Sequence, residues 1–122
     1  MRSACAFRNA KNLSQFDLNG TELTEIPEYA FENCTSLATL PFNSPYFRPQ
    51  SIGIEAFNAS GLKGSVVLPT TVADIGKEAF GFCESLDELV LPYMPIDFSE
   101  KTIYSAGMKE GFRCYASRLV AL

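Results

Sequence analysis

At 122 residues, with 47% hydrophobic and 12% aromatic side chains, the chain has the size and apolar content of one folded domain. A formal charge of −4, with Lys and Arg scattered, leaves no basic stripe to neutralise phosphates and argues against nucleic acid as a partner. No run of about 18 apolar residues is present and the opening "MRSACAFRNA" lacks the apolar core of a signal peptide, so neither membrane insertion nor export is written into this stretch.

Read in chain order, one sentence is repeated. It begins part-way through in "CAFRNAKNLSQFDL" at 5–18, then returns as "IPEYAFENCTSLATLPF" at 26–42, "IGIEAFNASGLKGSVVLP" at 52–69 and "IGKEAFGFCESLDELVLP" at 75–92. The Ala-Phe pairs end at Phe7, Phe31, Phe57 and Phe80, giving periods of 24, 26 and 23 residues, which mark stacked repeats. Five residues before each later Phe stands Ile26, Ile52 or Ile75, followed by Pro27, Gly53 or Gly76. Proline fixes φ near −65° and favours the first position of a helix, so a short helical or 3-10 turn is predicted there, with Glu28, Glu55 and Glu78 in its first turn facing the peptide dipoles.

After the Phe come Ala10, Cys34 or Cys83, then Leu13, Leu37 or Leu86, and then the alternation of Val66-Val67-Leu68 and Leu89-Val90-Leu91, which predicts a short strand stopped by Pro69 or Pro92. Such a unit cannot bury its apolar side alone. Stacking at about 4.8 Å along a parallel ladder supplies the burial and aligns equivalent side chains in columns: Phe7, Phe31, Phe57 and Phe80, and Leu18, Phe42, Leu68 and Leu91. A degraded fifth unit follows, with Ile103 and Met108 of "IYSAGM" at the Ile and Phe positions and "FRCYASRLVAL" as a last strand or a closing cap.

These residues resemble the bacterial surface protein A, or treponemal, type of leucine-rich repeat, with the pattern Ile-Gly-x-x-Ala-Phe-x-x-Cys-x-x-Leu-x-x-Leu-x-Leu-Pro. The match is good over about 5–92 and poor after Pro92. Departures are Ala10 at the Cys position, one residue missing in "AFNASGL", Pro27 for Gly, and about three extra residues in "NSPYFRPQ" at 43–50. The resemblance implies an α/β solenoid of short parallel strands and short helical or 3-10 turns. It comprises about four and a half coils in one domain, at 1–25, 26–51, 52–74 and 75–102 with a degenerate coil or cap at 103–122. It also implies a surface-exposed or secreted adhesion or protein-binding role, no catalytic residues and no cofactor.

Nothing in the residues opposes that reading. Cys5, Cys34, Cys83 and Cys114 form no C-x-x-C pair, and without any His neither structural zinc nor a Cys nucleophile is favoured, so the chain reads as a non-enzyme. Cys34 and Cys83 share a repeat position with a full coil between them, about 10 Å at twice the strand spacing and too distant for a disulfide, and read as small buried hydrophobes with free thiols. The sequons Asn12-Leu-Ser, Asn19-Gly-Thr, Asn33-Cys-Thr and Asn58-Ala-Ser are partly products of the repeat grammar, and are glycan acceptors only on a eukaryotic secretory route.

In a strand of this form the leucines point inward, so Ser14, Gln15, Asp17, Thr39, Pro41, Lys63, Ser65, Val67, Asp87, Glu88 and Val90 point outward and form one wall. The insertion at 43–50 reads as a loop offering Tyr46, Phe47 and Arg48, residue types enriched at binding hot spots. The candidate ligand-binding residues are therefore Thr39, Tyr46, Phe47, Arg48, Lys63, Ser65, Asp87 and Glu88, set against a protein or glycan ligand. The alternatives are an intracellular scaffold or regulatory domain, and a structural spacer in a longer array whose further repeats adjoin this chain.

Overall fold

A computed structural model of the chain describes residues 5–16, 22–41 and 44–92, together with the backbone of a strand at 113–116. The second column's Leu18 and Phe42, the wall residue Asp17, the sequon at Asn19 and the fifth unit's Ile103 and Met108 lie outside the described residues.

The predicted helical turns are absent: among the described residues there are strands and turns and no helix, so the α/β expectation is corrected at this point. The backbone around each Phe gives the reason. The residues two before and two after it hold left-handed φ, at 66° and 65° for Cys5 and Asn9, 60° and 60° for Tyr29 and Asn33, 52° and 59° for Glu55 and Ala59, and 54° and 55° for Glu78 and Phe82. A left-handed residue every four positions cannot belong to a right-handed helix.

The alternation divides the amides between two directions. In the third unit the N–H groups of Ala56, Asn58 and Ser60 bond three residues back, to Gly53, Glu55 and Phe57 at 3.0–3.2 Å, while those of Glu55, Phe57 and Ala59 donate forward to the carbonyls of Lys77, Ala79 and Gly81 at 2.8–2.9 Å. The same forward set joins Tyr29, Phe31 and Asn33 to Ile54, Ala56 and Asn58, and Cys5, Phe7 and Asn9 to Glu28, Ala30 and Glu32. A helix would spend all of these amides on itself, whereas this turn keeps half of them for the next unit.

The glycines after Ile52 and Ile75 do not open a helix. A Cβ on Gly53 would lie 2.6 Å from Glu28 N, and one on Gly76 would lie 2.5 Å from Ile54 N. Glycine is there because successive backbones nearly touch. Likewise Glu55 and Glu78, placed in a helical first turn by the sequence, hold left-handed φ and face no helix dipole.

With the backbones this close, the phenylalanines stack. Ring centroids are 5.5 Å apart for Phe7–Phe31 and 5.3 Å for Phe31–Phe57 and Phe57–Phe80, with interplanar angles of 4–12°. Phe16 adds a second ring on Phe31 at 4.9 Å. Ala30, Ala56 and Ala79 beside the column are all buried, as are Leu37, Leu62, Leu86, Leu68 and Leu91.

Two parallel three-stranded sheets flank this core. The strands are β1 (Leu23–Ile26), β2 (Phe47–Ile52), β3 (Gly64–Val67), β4 (Asp74–Ile75), β5 (Leu86–Leu91) and β6 (Arg113–Ala116), in the orders β1-β2-β4 and β3-β5-β6. The second sheet carries the predicted Leu-x-Leu strands, with Val66 opposite Leu89 and Val67 opposite Val90. The first sheet, formed where each unit enters its Ile, has no counterpart in the sequence reading. It also corrects the loop at 43–50, because residues 47–50 are strand. Between Leu23↔Phe47 and Glu25↔Ser51, two steps on β1 match four on β2, so the extra residues are absorbed as an irregularity around Pro49, which has no N–H to offer a regular ladder. The Pro49 carbonyl accepts from Thr71 Oγ1 at 2.8 Å.

Candidate functional site

Three of the candidate residues, Ser65, Asp87 and Glu88, lie on strands of the second sheet, with Lys63 just before β3. Thr39, Lys63, Ser65, Val67 and Asp87 are exposed and Glu88 is half-buried. Strand pairing sets Ser65 beside Glu88, and Ser65 Oγ donates to Glu88 Oε1 at 2.7 Å. Gly64 faces Leu86 while Ser65 faces Glu88, which leaves Asp87 as the extra residue of a bulge, projecting from the ladder. Val90, expected to point outward with them, is 5% exposed; it lies on the central strand, between Val67 and Tyr115 in the ladder.

The aromatic loop does not survive as a unit. Phe47 opens β2 on its inward side, is 4% exposed and belongs to the core, so its ring is not on the surface where the loop reading put it. Strand alternation then exposes Arg48, buries Pro49 and exposes Gln50. Tyr46 is 43% exposed, and Arg48 Nε lies 3.6 Å from Glu22 Oε1 in an exposed ion pair of little energetic weight. Arg48 therefore lies on β2 of the first sheet with Tyr46 just before it, whereas Ser65, Asp87 and Glu88 lie on β3 and β5 of the second, with Lys63 just before β3 and Thr39 outside both sheets.

Two concavities escaped the sequence reading. One, of about 440 Å³, lies over the first sheet and is lined by Thr24, Glu25, Gln50, Ser51, Ala73 and Asp74; the ladder places Ser51 between Glu25 and Asp74. The other, of about 430 Å³, opens on the turn side among Asn33, Thr35, Ala59, Gly61, Phe82 and Glu84, with Ser60 and Ser85 beside them. The only sequence signal for the second was the missing residue in "AFNASGL".

The turn side also carries paired charges. Arg8 Nε contacts Glu32 Oε1, an atom otherwise shut off from solvent, and the guanidinium lies 5.0 Å from the Tyr29 ring centroid, clamping the first unit to the second. Burial, then Glu32 and Glu78, push the Glu55 carboxyl above the usual carboxylate range. Cys34 and Cys83 are buried free thiols donating to the carbonyls of Phe7 at 3.0 Å and Phe57 at 3.1 Å, and burial lifts Cys83 to about 11 against the opposing hydrogen bond from Ser60. A thiol held protonated in this way is a structural group rather than a nucleophile. Cys5 is a free, exposed thiol.

Of the sequons, Asn58 is buried, which removes it as an acceptor in the folded chain; Asn33 is half-buried and donates Nδ2 to Asn9 Oδ1 at 2.9 Å; Asn12 is exposed. Among the described residues no group of three or more His, Cys, Asp or Glu is arranged to hold a metal ion, and no helix is long and apolar enough to cross a membrane.

Stacked units with an Ala-Phe column, a buried Cys and parallel Leu-x-Leu strands define a leucine-rich repeat protein, a class of interaction modules. The family described as BspA type leucine-rich repeat region matches residues 3–110 in 6 copies, so the chain belongs to that family. No curated protein and no solved structure matches it.

Proposed function

We propose that the chain is a non-catalytic binding or adhesion module, wound as a solenoid and acting at a cell surface or in secreted form, that presents an outward sheet face to a protein or glycan ligand. The carrying observation is the second sheet's face: Ser65 on β3 and Asp87 and Glu88 on the adjacent parallel strand β5, with exposed Lys63 just before β3, held in register by buried leucines that allow the outward residues to vary. A basic, an uncharged and two acidic side chains within two units offer a partner charge and hydrogen bonds together, as repeat proteins do on their extended faces. Thr39 stands exposed in the preceding unit, and exposed Tyr46 and Arg48 form a separate patch at the start of β2.

Surface plasmon resonance of the immobilised chain against purified extracellular matrix proteins and a glycan array tests the reading. A ligand whose affinity falls at least tenfold in Asp87→Ala/Glu88→Ala, with an unchanged melting temperature, supports it. Absence of any binder in both screens would leave the structural spacer as the better account.

A further inference from the structure

The turn-side concavity follows from a defect in the repeat. In "AFNASGL" the third unit is one residue short between its Phe and its Leu, and what remains there is small: Ala59 stands where the first two units carry Asn9 and Asn33 and the fourth carries Phe82. Gly61 follows, packed so closely on the second unit that a Cβ would lie 2.1 Å from Thr35 O. The third unit thus forms a sunken floor between taller neighbours, Asn33 and Thr35 on one side and Phe82, Glu84 and Ser85 on the other. Those walls belong to units two repeats apart, roughly 10 Å at twice the strand spacing. The notch of about 430 Å³ falls in the size range of small-molecule sites.

The lining selects a chemistry. The floor amides are already committed, Ala59 N to Gly81 O, Ser60 N to Phe57 O and Gly61 N to Cys34 O, so they offer a peptide strand no free amide donor. Recognition falls to side chains: the hydroxyl of Thr35, the carboxylate of Glu84, the Oδ1 of Asn33, whose Nδ2 already donates to Asn9, and the ring of Phe82, which is 41% exposed. An aromatic face beside clustered hydroxyl, amide and carboxylate groups suits a ligand with C–H bonds on one face and hydroxyls around its edge. The Glu84 carboxylate disfavours an anion.

We propose that this notch is a saccharide-binding site, taking one neutral sugar ring with its C–H face on Phe82 and its hydroxyls toward Asn33, Thr35 and Glu84. This deepens the reading of the chain as a binding module and places a glycan contact on the turn side, away from the sheet faces.

The test is saturation-transfer NMR of the full chain with methyl β-glucoside, methyl β-galactoside and N-acetylglucosamine as probes and glycerol as the control, alongside a glycopeptide bearing the same terminal sugars. At least one sugar should show transfer to its ring C–H protons, and stronger transfer to the glycopeptide would identify a glycan rather than a free sugar as the ligand. Phe82→Ala should reduce the effect at least tenfold. The sharper variant is Ala59→Asn, because asparagine tolerates the left-handed φ of 59° that Asn33 already adopts at 60°; it fills the notch while restoring the asparagine column, and should abolish binding with melting temperature unchanged. No transfer to any sugar, or equal transfer in the wild-type chain and Ala59→Asn, overturns the site. A protein ligand that binds the sheet face equally well in Ala59→Asn would uphold the proposed function even if the notch proves empty of sugar.

Discussion

Phe7 and Phe57 occupy the same repeat position, lie in turns with the same left-handed residues on either side, and donate the same forward amide bond, yet Phe7 is 48% exposed and Phe57 is fully buried. The difference is the number of neighbours. Phe57 is covered by Phe31 on one side and Phe80 on the other, whereas among the described residues Phe7 has only the Phe31 ring. The motif thus sets the local shape and direction of the amides, and burial is conferred by the adjoining units. Stability in such a stack is shared across junctions instead of residing in any one unit.

The contrast should break most severely at the centre. Phe57→Ala removes a ring sandwiched between two others and should cost about 3–5 kcal/mol in denaturant titration; a loss below about 1 kcal/mol would mean that the column carries little of the stability. Alkaline pH should weaken the same buried region. Below pH 9 the Cys83 thiol is protonated in both states and its contribution is complete; above it the unfolded chain releases the proton while the folded chain retains it until about pH 11. Stability should therefore fall by about 1.4 kcal/mol per pH unit across that window, about 2–3 kcal/mol in total, and Cys83→Ala should flatten the slope.

At the junction itself, Gly76→Ala sets a methyl group against the Ile54 amide and should cost about 1–3 kcal/mol by forcing the third and fourth units apart. The open face should be far more tolerant: Phe7→Ala should cost about 1 kcal/mol, half the value of a fully buried apolar side chain, and a cost equal to that of Phe57→Ala would erase the distinction. The smallest effect concerns Glu55, whose carboxyl is raised by burial and by Glu32 and Glu78. Its contribution is complete below the ordinary carboxylate range and is lost as pH rises through the raised value, so Glu55→Gln should slightly raise the melting temperature at pH 7 and leave it unchanged at pH 3.

The sequence by itself determined the repeat, the phenylalanine column, the inward leucines of the described units, the second sheet's β3 and β5 and the buried cysteines. Each follows from a residue type recurring at a fixed period, and in a stack equal period means equal place. Tertiary structure alone decided the rest. Whether Ile-Gly-x-x-Ala-Phe winds into a helix or into alternating left-handed turns depends on acceptors in the next unit, such as the Lys77, Ala79 and Gly81 carbonyls, and no local propensity encodes those. Phe47 read as an exposed loop aromatic because it lies in an insertion without periodicity, and only pairing with Leu23 on β1 turned it inward. The notch was hidden for a related reason: a deletion is visible as one residue fewer, but the space it leaves is bounded by units on either side, and a sequence lists neighbours along the chain rather than across it.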